Sequence, residues 1–514
     1  MKNIYTTLFV FFILGRSFSQ LNADARKELK LADLAYDKSD FLNSYNLYSK
    51  LLKLDSNNYE LYFKTGASLF NMNKMDTSSL KYFERSKSQI PESHFYLGKN
   101  YQLTGQSKRA LEEFYYFKSI NTEEKIENSE VNSWIKMSES AIQAETQKSN
   151  YIIKNLGSEI NSSYPEYVPL VWNMNGSLIF TSRRSNSKGG LKDPYGRFYE
   201  DIYMAKKGVE TWSNPLSIGD EINTQSHDAC VSLSPSGNEL IIYRTDEKQT
   251  GGDLYLSTYD GVKWSVPVKM GPEINSEFLE TSACFSADGN EIVFSSNRPG
   301  GLGGKDLYRI RKFMNGKFSL PYNLGSNVNT SEDEDAPFID KNNDLYFSSK
   351  GHNTIGEYDI FKSEFNPETL NWNKAENLGM PINSTNDDIY FIKIDDLGSA
   401  LFSSRREGGY GDADIYEMNF NETSQLIIHC KFTSLLDKLD LKDVQLSLYD
   451  VESGRLNGKY KPNKNYMSSI LVVTEGKLYK LIIEGVNIEP IVSNILFTSS
   501  EKELKFELIK KNKE

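Results

Sequence analysis

A short motif recurs along the middle of this chain and constrains its fold more than any other feature. Among the Asp residues that are followed by Ile or Leu and then by Tyr or Phe, five recur at a regular spacing. The copies begin at Asp201, Asp253, Asp306, Asp359 and Asp414, at intervals of 52, 53, 53 and 55 residues. Self-similarity with a period of about 50 residues is typical of β-propeller blades, each made of four short strands. The motif therefore predicts an all-β region.

A second motif keeps the same spacing and indicates how the ring closes. Gly is followed four positions later by Asn at Gly157/Asn161, Gly219/Asn223, Gly271/Asn275, Gly325/Asn329 and Gly379/Asn383. The first copy precedes the first Asp motif, and no copy follows the last one. We therefore predict that segment 151–156 pairs with the strand near 414–418. This pairing would close a five-bladed β-propeller over residues 150–421 and remove two exposed sheet edges.

The residues before the propeller divide into two parts. Residues 1–20 combine a basic start, an apolar stretch and small residues near the end, which is typical of a secretory signal peptide. Residues 24–120, within a predicted helical domain of residues 24–148, have helical periodicity with a repeat of about 33 residues, in which Ala32, Gly66 and Gly98 occupy one equivalent position. Small residues there, with aromatic residues in the following helix, are similar to tetratricopeptide repeats. They predict an α-solenoid of three helix pairs and a capping helix.

The residues after the propeller alternate apolar and polar positions in short runs separated by turns. This pattern predicts a small β-sandwich over residues 424–510. The predicted fold class is a multidomain combination of α and all-β parts: a tetratricopeptide α-solenoid, a five-bladed β-propeller and a small β-sandwich. No segment after the signal peptide has the length and apolar character of a membrane-spanning helix.

Residue types that carry catalysis or bind metals are sparse. The four His residues have no zinc-ligand spacing, no nucleophile elbow occurs, and the Gly-rich segment 300–306 does not fit a phosphate loop. We therefore expect no cofactor and no metal. Cys230, Cys284 and Cys430 are predicted to be small buried residues rather than disulfide partners. A net charge of −11 disfavours nucleic-acid binding.

Two groups of residues are candidate binding sites. Acidic residues open the predicted innermost strands, and they would surround one mouth of a propeller channel, where they could bind a cation or a basic segment. These residues are Glu166, Asp228, Glu280, Glu334, Asp335, Asp387 and Asp388. The alternative is that they cap hairpins and face water. In the helical groove the candidates are Tyr62, Lys64, Tyr96 and Asn100.

Basic residues also recur, after the strand that ends in small hydroxyl residues. They are Arg183, Arg244, Arg298, Lys350 and Arg405. Because they recur together with the repeated Asp residues, we expect them to form structural pairs within the blades.

Two short segments resemble a known kind of blade. Residues 294–301 (Phe-Ser-Ser-Asn-Arg-Pro-Gly-Gly) and 304–308 (Gly-Lys-Asp-Leu-Tyr) resemble PD40 repeats, which are WD40-like and related to the TolB propeller. Residues 473–483 resemble a carboxypeptidase-regulatory-like domain. The order of these parts is similar to a family of Bacteroidota envelope proteins that includes a type IX secretion component. That family usually ends in an OmpA-type domain and carries a lipobox Cys. This sequence shows neither, so peptidoglycan binding is not expected.

The resemblance and the absence of a catalytic constellation lead to one functional prediction and one alternative. We expect a non-enzymatic scaffold for protein–protein interactions, exported to the periplasm and associated with the outer membrane through partners. Those partners would be envelope proteins such as secretion or motility components. The alternative is an exported hydrolase or lyase acting on a glycan or peptide at the propeller mouth. A concave pocket with two carboxylates of unequal pKa would favour the enzyme.

Overall fold

The computed structural model covers most of the chain in two compact units. It describes residues 22–72, 77–147, 149, 151–174, 176–193, 196–208, 211–246, 251–394, 399–420, 425–434, 441–451, 454–463, 467–474, 476–498 and 503–511. The first unit ends at Asn419 and the second begins at Phe420. The predicted signal peptide lies outside the described residues, and the division into three domains stays a prediction.

The N-terminal part of the first unit is helical. Its described helices are α1 (Ala23–Asp37), α2 (Phe41–Leu54), α3 (Tyr59–Met72), α4 (Leu80–Ser86), α5 (Glu92–Leu103), α6 (Ser107–Ile120) and α7 (Asn128–Glu145). Helix α1 begins after Asn22, whose side chain accepts a hydrogen bond from Ala25 N (2.9 Å), as expected of an N-cap. Consecutive helices pack against each other.

Small residues allow these helices to approach closely. A Cβ atom at Gly98 would lie 2.6 Å from the ring of Phe114, and one at Gly66 would lie 2.9 Å from Tyr82 Cβ. Ala32, at the equivalent position, is fully buried. The repeated small residue is therefore a packing requirement between α3 and α4 and between α5 and α6.

The rest of the first unit consists of short strands. The chain enters it with β1 (Tyr151–Asn155). Sheet 1 contains β2 (Glu166–Trp172), β3 (Ser177–Ser182), β4 (Asp201–Lys206) and β5 (Leu216–Ser217). Sheet 2 contains β6 (Asp228–Leu233), β7 (Glu239–Thr245), β8 (Gly252–Thr258) and β9 (Val268–Lys269). Sheet 3 contains β10 (Glu280–Phe285), β11 (Glu291–Ser296), β12 (Asp306–Arg311) and β13 (Tyr322–Asn323).

Two further sheets complete this region among the described residues. Sheet 4 contains β14 (Glu334–Ile339), β15 (Leu345–Ser349), β16 (Asp359–Ser363) and, after a hairpin of β17 (Phe365–Asn366) and β18 (Asn371–Trp372), β19 (Glu376–Asn377). Sheet 5 contains β20 (Asp388–Lys393), β21 (Ala400–Ser404), β22 (Asp414–Phe420) and β1, which pairs with β22. The predicted pairing of segment 151–156 with the last Asp strand is thus confirmed.

The five sheets lie next to one another in a closed cycle. The first strand of each sheet contacts the first strand of the following sheet, and β20 of sheet 5 contacts β2 of sheet 1. Hydrophobic clusters fill the space between neighbouring sheets; one of them joins Leu401 and Ile415 of sheet 5 to Leu178 and Phe180 of sheet 1. The core is therefore shared between sheets, and the cycle leaves a central space bordered by first strands.

The two repeated motifs bond to each other, which explains why they keep the same spacing. The side chain of Asn329 accepts from Leu307 N (2.8 Å) and donates to Leu307 O (3.0 Å), the residue that follows the repeated Asp306. Asp306 in turn accepts from Leu302 N and Gly303 N in the Gly-rich loop. The same Asn pairing occurs at Asn161, Asn223, Asn275 and Asn383. Each Asn thus provides a partner for a buried backbone N–H, and it adds a second hydrogen bond to a C=O that already accepts one from the outer strand, as Leu307 O does from Leu324 N (3.1 Å).

The helical part contacts the sheets at the end of α5. Gln102 Nε2 donates to Ile355 O (2.9 Å), and Asn386 Nδ2 donates to Leu103 O (2.6 Å). Both contacts are buried. Ile355 lies just before β16 and Asn386 just before β20, so α5 holds two neighbouring loops at the end where the first strands begin.

The second unit has its own core between two sheets. One sheet has the order β26 (Ser468–Thr474), β23 (Gln425–Ser434), β29 (Glu503–Leu508), and the other has the order β25 (Leu456–Tyr460), β24 (Gln445–Asp450), β27 (Leu478–Glu484), β28 (Ile491–Leu496). Ile428, Cys430, Leu446 and Leu481 are buried in one shared cluster. Alternation of buried and exposed positions along β26 and β27 matches the sequence pattern that predicted strands here.

Candidate functional site

Five of the seven carboxylates predicted to form a binding rim are enclosed within the sheets. Each accepts hydrogen bonds from the backbone N–H and the side-chain hydroxyl of the residue four positions earlier. The pairs are Glu166 with Ser162, Asp228 with Thr224, Glu280 with Ser276, Glu334 with Thr330 and Asp388 with Ser384. All five carboxylates are at most 1 % exposed. They therefore cannot form the open rim that the sequence predicted.

Four of these buried carboxylates are paired with an Arg. The ion pairs are Arg184–Glu166 (3.2 Å), Arg244–Asp228 (2.5 Å), Arg298–Glu280 (3.1 Å) and Arg406–Asp388 (2.7 Å). Each Arg also donates to a backbone carbonyl just before the Asn of the second motif, as Arg298 does to Ile274 O (2.7 Å). A buried carboxylate that is both hydrogen-bonded and ion-paired offsets its desolvation. These groups therefore have a structural role.

Sheet 4 departs from this pattern. Gly351 occupies the place where sheets 3 and 5 carry Arg298 and Arg406, because a Cβ atom at Gly351 would clash with Thr330 Oγ1. The next residue, His352, bonds Val328 O with Nε2 (2.9 Å) instead. No ion pair with Glu334 is found among the described residues. Burial, only partly offset by hydrogen bonds from Thr330 and Ser349, raises the pKa of Glu334 to about 7.

The remaining two predicted rim residues, Asp335 and Asp387, differ from these five. Asp335 is buried, but Lys305 pairs with it and Thr281 Oγ1 donates to it (3.0 Å). Burial opposes its charge, yet Lys305 outweighs burial and lowers the pKa of Asp335. Asp387 lines a cavity together with residues that the sequence analysis did not single out for binding.

This cavity, which we call the mouth pocket, opens between sheet 5 and sheet 1 where their first strands begin. Its volume is ≈ 270 Å³. The lining residues are Pro165, Tyr167, Arg183, Arg197, Glu200, Tyr358, Asp387, Ile389, Tyr390, Ser403, Ser404, Arg405, Asp412 and Ala413. The predicted mouth site is therefore represented by Asp387 alone.

One wall of the mouth pocket is a saturated ion-pair network. Arg183 pairs with Asp193 (2.8 Å) and Glu200 (2.8 Å), and its Nε donates to the Tyr167 hydroxyl (3.3 Å). The Glu200 carboxylate also contacts His227 Nδ1 (2.9 Å). Burial opposes the charge on Glu200, but Arg183 and His227 outweigh it and hold the pKa of Glu200 well below its usual range. This wall is fixed by its own contacts.

The opposite wall is less fully bonded. Arg405 lies 3.3 Å from Asp387 and 3.4 Å from Asp412, distances that are long for charge-assisted hydrogen bonds. Tyr390 stacks on Tyr167, with ring centroids 6.1 Å apart. Burial raises the pKa of Tyr390 far above its usual value, so its hydroxyl keeps its proton. This wall therefore presents donors and acceptors side by side.

The helical part holds the loops that carry two of these residues. Tyr358 follows Ile355, which Gln102 binds, and Asp387 follows Asn386, which binds Leu103 O. The backbone N–H of Tyr358 also donates to Asp387 Oδ1 (3.3 Å). The geometry of the mouth pocket thus depends on the contact with α5.

Three of the four predicted groove residues are buried within the helical packing. Lys64 is 4 % exposed and pairs with Asp33 (2.8 Å) and Glu60 (3.3 Å). Tyr96 stacks on Phe83, and Asn100 Nδ2 donates to Ser79 Oγ (3.1 Å). Tyr62 is half-buried. The three buried positions stabilise the repeat because they lie where neighbouring helices meet, whereas Tyr62 stays a candidate.

Other predicted features are located as follows. All three Cys residues are free and buried, as expected from the sequence, and burial raises the pKa of Cys230 and Cys430 to about 12. Within the described ranges, no cluster of three or more His, Cys, Asp or Glu side chains could hold a metal ion. In the same ranges, no helix has the length and apolar character to cross a membrane.

Comparisons with known proteins give partial likenesses to solved structures. No protein-family description matches the chain, and no curated protein matches it. The structure of TolB from Acinetobacter baumannii is 15 % identical, with 52 % of this chain and 62 % of that chain covered and a TM-score of 0.32. An endo-arabinase from Bacteroides thetaiotaomicron VPI-5482 is 15 % identical, covering 52 % and 96 %, with a TM-score of 0.34. An α-L-arabinofuranosidase from Lactobacillus brevis is 12 % identical, covering 52 % and 92 %, with a TM-score of 0.30.

Proposed function

We propose that this protein is a non-enzymatic binding scaffold of the cell envelope. In this proposal, residues 1–20 direct export to the periplasm, the helices over 24–148 form a tetratricopeptide solenoid, and residues 150–421 form a five-bladed propeller. Residues 424–510 form a carboxypeptidase-regulatory-like sandwich. The closed cycle of five four-stranded sheets, with β1 completing sheet 5, supports the propeller.

The observation that carries the binding function is the mouth pocket. It is concave, it combines Tyr rings with Arg and carboxylate groups, and it lies where α5 meets the sheets. Pockets that combine aromatic side chains with a few convergent polar groups are the usual form of a ligand site. Because the helical part fixes two of its loops, this pocket can connect a ligand at the mouth with a partner on the helices.

The charges in the pocket support binding more than acid–base catalysis. Glycan or peptide hydrolysis by two carboxyl groups needs one whose pKa is raised. In the pocket, Arg183 keeps Glu200 ionised, and Asp387 and Asp412 pair with Arg405. Burial raises the pKa of Glu334 and of Asp359 to about 7, but both are enclosed in sheet 4 and neither lines the pocket.

A hydrolase or lyase remains the second candidate function, because three carboxylates share the mouth pocket. Its test is hydrolysis of arabinan, pectin and casein by the purified full chain. An enzyme would release products in proportion to time and would lose this activity in Asp387→Asn. A binding scaffold would release none.

The resemblance to Bacteroidota envelope proteins, among them the type IX secretion component PorE, suggests which partners to seek. The experiment is affinity purification of the tagged protein from lightly crosslinked envelopes, with partners identified by mass spectrometry. We expect recovery of outer-membrane secretion or motility components, and reduced recovery with Arg405→Glu. Arg311→Glu is the matched control, since Arg311 lies at the far end of β12 and its side chain is 67 % exposed. Absence of reproducible partners with the unaltered chain would contradict the scaffold.

A further inference from the structure

A buried hydroxyl in the mouth pocket lacks the bond that its counterparts make. In sheet 3, Ser295 Oγ donates to Glu334 O of the next sheet (2.7 Å), and in sheet 4, Ser348 Oγ donates to Asp388 O (3.2 Å). The equivalent residue in sheet 5 is Ser403, which is fully buried and lines the mouth pocket. Its Oγ has no hydrogen-bond partner among the described residues. A buried polar atom without a partner is costly, and its position identifies a place where a ligand can bond.

Two more donors stand beside Ser403. The Arg405 guanidinium has ion-pair contacts at 3.3 Å and 3.4 Å, yet within the described ranges its side chain makes no hydrogen bond. The Tyr390 hydroxyl likewise has no hydrogen-bond partner in the part of the chain that the structure describes. Asp387 and Asp412 supply acceptor oxygens within the same wall. A guanidinium has five N–H donors and a carboxylate about four acceptor sites, so both retain capacity for a ligand.

The signs of the charges restrict the ligand. Arg183, Arg197 and Arg405 contribute positive charge to the lining, and Glu200, Asp387 and Asp412 contribute the same amount of negative charge. An anion would compete with Asp387 and Asp412 for Arg405, and a cation would compete with Arg405 for the two carboxylates. A hydroxyl group both donates and accepts, so a neutral ligand with several hydroxyls can bond both groups without breaking their pairing.

Three Tyr residues also line the pocket. Tyr167 and Tyr390 stack with an interplanar angle of 20°, and Tyr358 lies on the neighbouring loop. Tyr presents an apolar ring together with a polar hydroxyl, which suits a ligand that has apolar C–H faces and polar edges. The volume of ≈ 270 Å³ is slightly below the range of about 300–1,000 Å³ typical of small-molecule sites. It fits one small ring better than a folded partner.

We propose that the mouth pocket binds a neutral sugar residue, with its hydroxyls bonded by Ser403, Tyr390 and Arg405 on one side and by Asp387 and Asp412 on the other. This inference rests on the proposed function in one respect, that the mouth pocket is a ligand site. It adds the chemical class of the ligand. A glycan of the cell envelope would then be held through one of its sugar residues at the mouth pocket. The helical part would remain available to a protein partner.

The test is saturation-transfer difference NMR on the full chain with single sugars as probes. The panel is D-glucose, D-galactose, D-mannose, D-xylose, L-arabinose, L-rhamnose and N-acetyl-D-glucosamine, with acetate and N-acetyl-lysine amide as charged probes. We expect at least one sugar to receive saturation and to titrate with a Kd in the range of about 1 mM or tighter. Acetate and N-acetyl-lysine amide should not displace it.

Substitutions in the mouth pocket test whether the sugar binds there. Arg405→Gln and Asp387→Asn should each weaken the sugar affinity at least about tenfold, since each removes a charged hydrogen-bonding group. Ser403→Ala removes an unpaired hydroxyl, so it should leave the melting temperature unchanged and weaken affinity roughly fivefold. Arg311→Gln should leave the affinity unchanged. The sugar affinities of Arg405→Gln and Asp387→Asn are interpreted only if their melting curves match that of the unaltered chain. If these two variants do not fold, Ser403→Ala provides the test.

Two outcomes would overturn the inference. One is that no sugar of the panel binds; the other is that a charged probe binds in place of the sugars. If either result came together with recovery of envelope partners in the crosslinking experiment, the scaffold would stand and only the sugar site would fall. If sugar binding were observed without any recovered partner, the scaffold would fall and the sugar site would stand.

Discussion

The missing Arg in sheet 4 predicts a pH-dependent weakness that one substitution should remove. A Glu334 pKa of about 7 in the fold, against the ordinary 4.5, means that folding favours the protonated carboxyl. Above the unfolded pKa the unfolded chain releases the proton while the folded chain retains it, so stability falls as pH rises from 4.5 to about 7. A shift of one pKa unit changes the free energy of unfolding by ~1.4 kcal/mol. The loss of stability therefore approaches about 3 kcal/mol at higher pH.

Glu334→Gln should remove this loss because Gln fits the site without a charge. Thr330 N donates to Oε2 (2.8 Å), while Thr330 Oγ1 and Ser349 Oγ contact Oε1 (2.7 Å each). Gln can place its carbonyl oxygen at the first position and its amide N–H₂ toward the two hydroxyls, which can accept. The variant and the unaltered chain should therefore have equal stability near the ordinary Glu pKa. The variant should be more stable by about 3 kcal/mol at about pH 8.

The assay is urea unfolding of both proteins across this pH range. The difference between their free energies of unfolding removes the contribution of the other titrating groups, which both proteins share. Glu280→Gln is the matched control. Glu280 has the same hydrogen bonds but is also paired with Arg298, so its neutral variant leaves a buried Arg unpaired. It should destabilise by about 3 kcal/mol or more over the whole range. A Glu334→Gln difference that stays flat within about 0.5 kcal/mol from pH 5 to 8 would refute the reasoning.

Three further predictions concern packing and contacts. Gly98→Ala should lower the free energy of unfolding of the helical part by roughly 1–3 kcal/mol, because the new Cβ meets the Phe114 ring at 2.6 Å. Gly251→Ala is the control: it has open space around it and should leave stability unchanged, with both variants measured by circular dichroism melting. Asn329→Ala leaves the buried N–H of Leu307 without a partner, while Leu307 O keeps its bond from Leu324 N, so the substitution should cost roughly 1–3 kcal/mol in urea unfolding; an unchanged midpoint would contradict this role. Gln102→Ala should increase amide hydrogen exchange in segment 353–358, and unchanged exchange there would mean that α5 does not hold the loop.

The repeat made the sheets predictable because its residues bond to each other. Asn329 and Asp306 keep their spacing since the Asn side chain pairs with the residue after the Asp, and that pairing is the same in every sheet. The pairing of β1 with β22 followed from counting the motifs along the chain. For the same reason, the repeated acidic residues were poor candidates for a ligand-binding site. Glu280 recurs because its carboxylate bonds Ser276 and pairs with Arg298 inside the sheet.

The mouth pocket was hidden from the sequence because two of its residues do not repeat, and because the recurrence of Arg183 and Arg405 suggested structural pairs. Tyr390 corresponds to Val168, Cys230, Ser282 and Ala336 in the other first strands. Glu200, just before the repeated Asp, likewise has no acidic counterpart in the other sheets. A search for positions that break the repeat would have found both residues. That they meet between sheets 5 and 1 depends on closure of the cycle, which no local pattern shows. The prediction of a groove site at Lys64 was wrong for another reason. Helical periodicity does not show whether a Lys lies on an exposed helix face or is buried in ion pairs, as Lys64 is beside Asp33 and Glu60.

Site-specific photocrosslinking in intact cells tests most directly whether the mouth pocket is a binding site. A benzoylphenylalanine residue replaces Arg197, whose side chain is 39 % exposed at the edge of the pocket and is not among the groups proposed to bond the sugar, or Arg311 at the opposite end of the sheets. The binding account predicts a discrete crosslinked species from position 197, competed by the sugar that binds in vitro, and none from position 311. Identical crosslinks from both positions, or none from position 197, would contradict it.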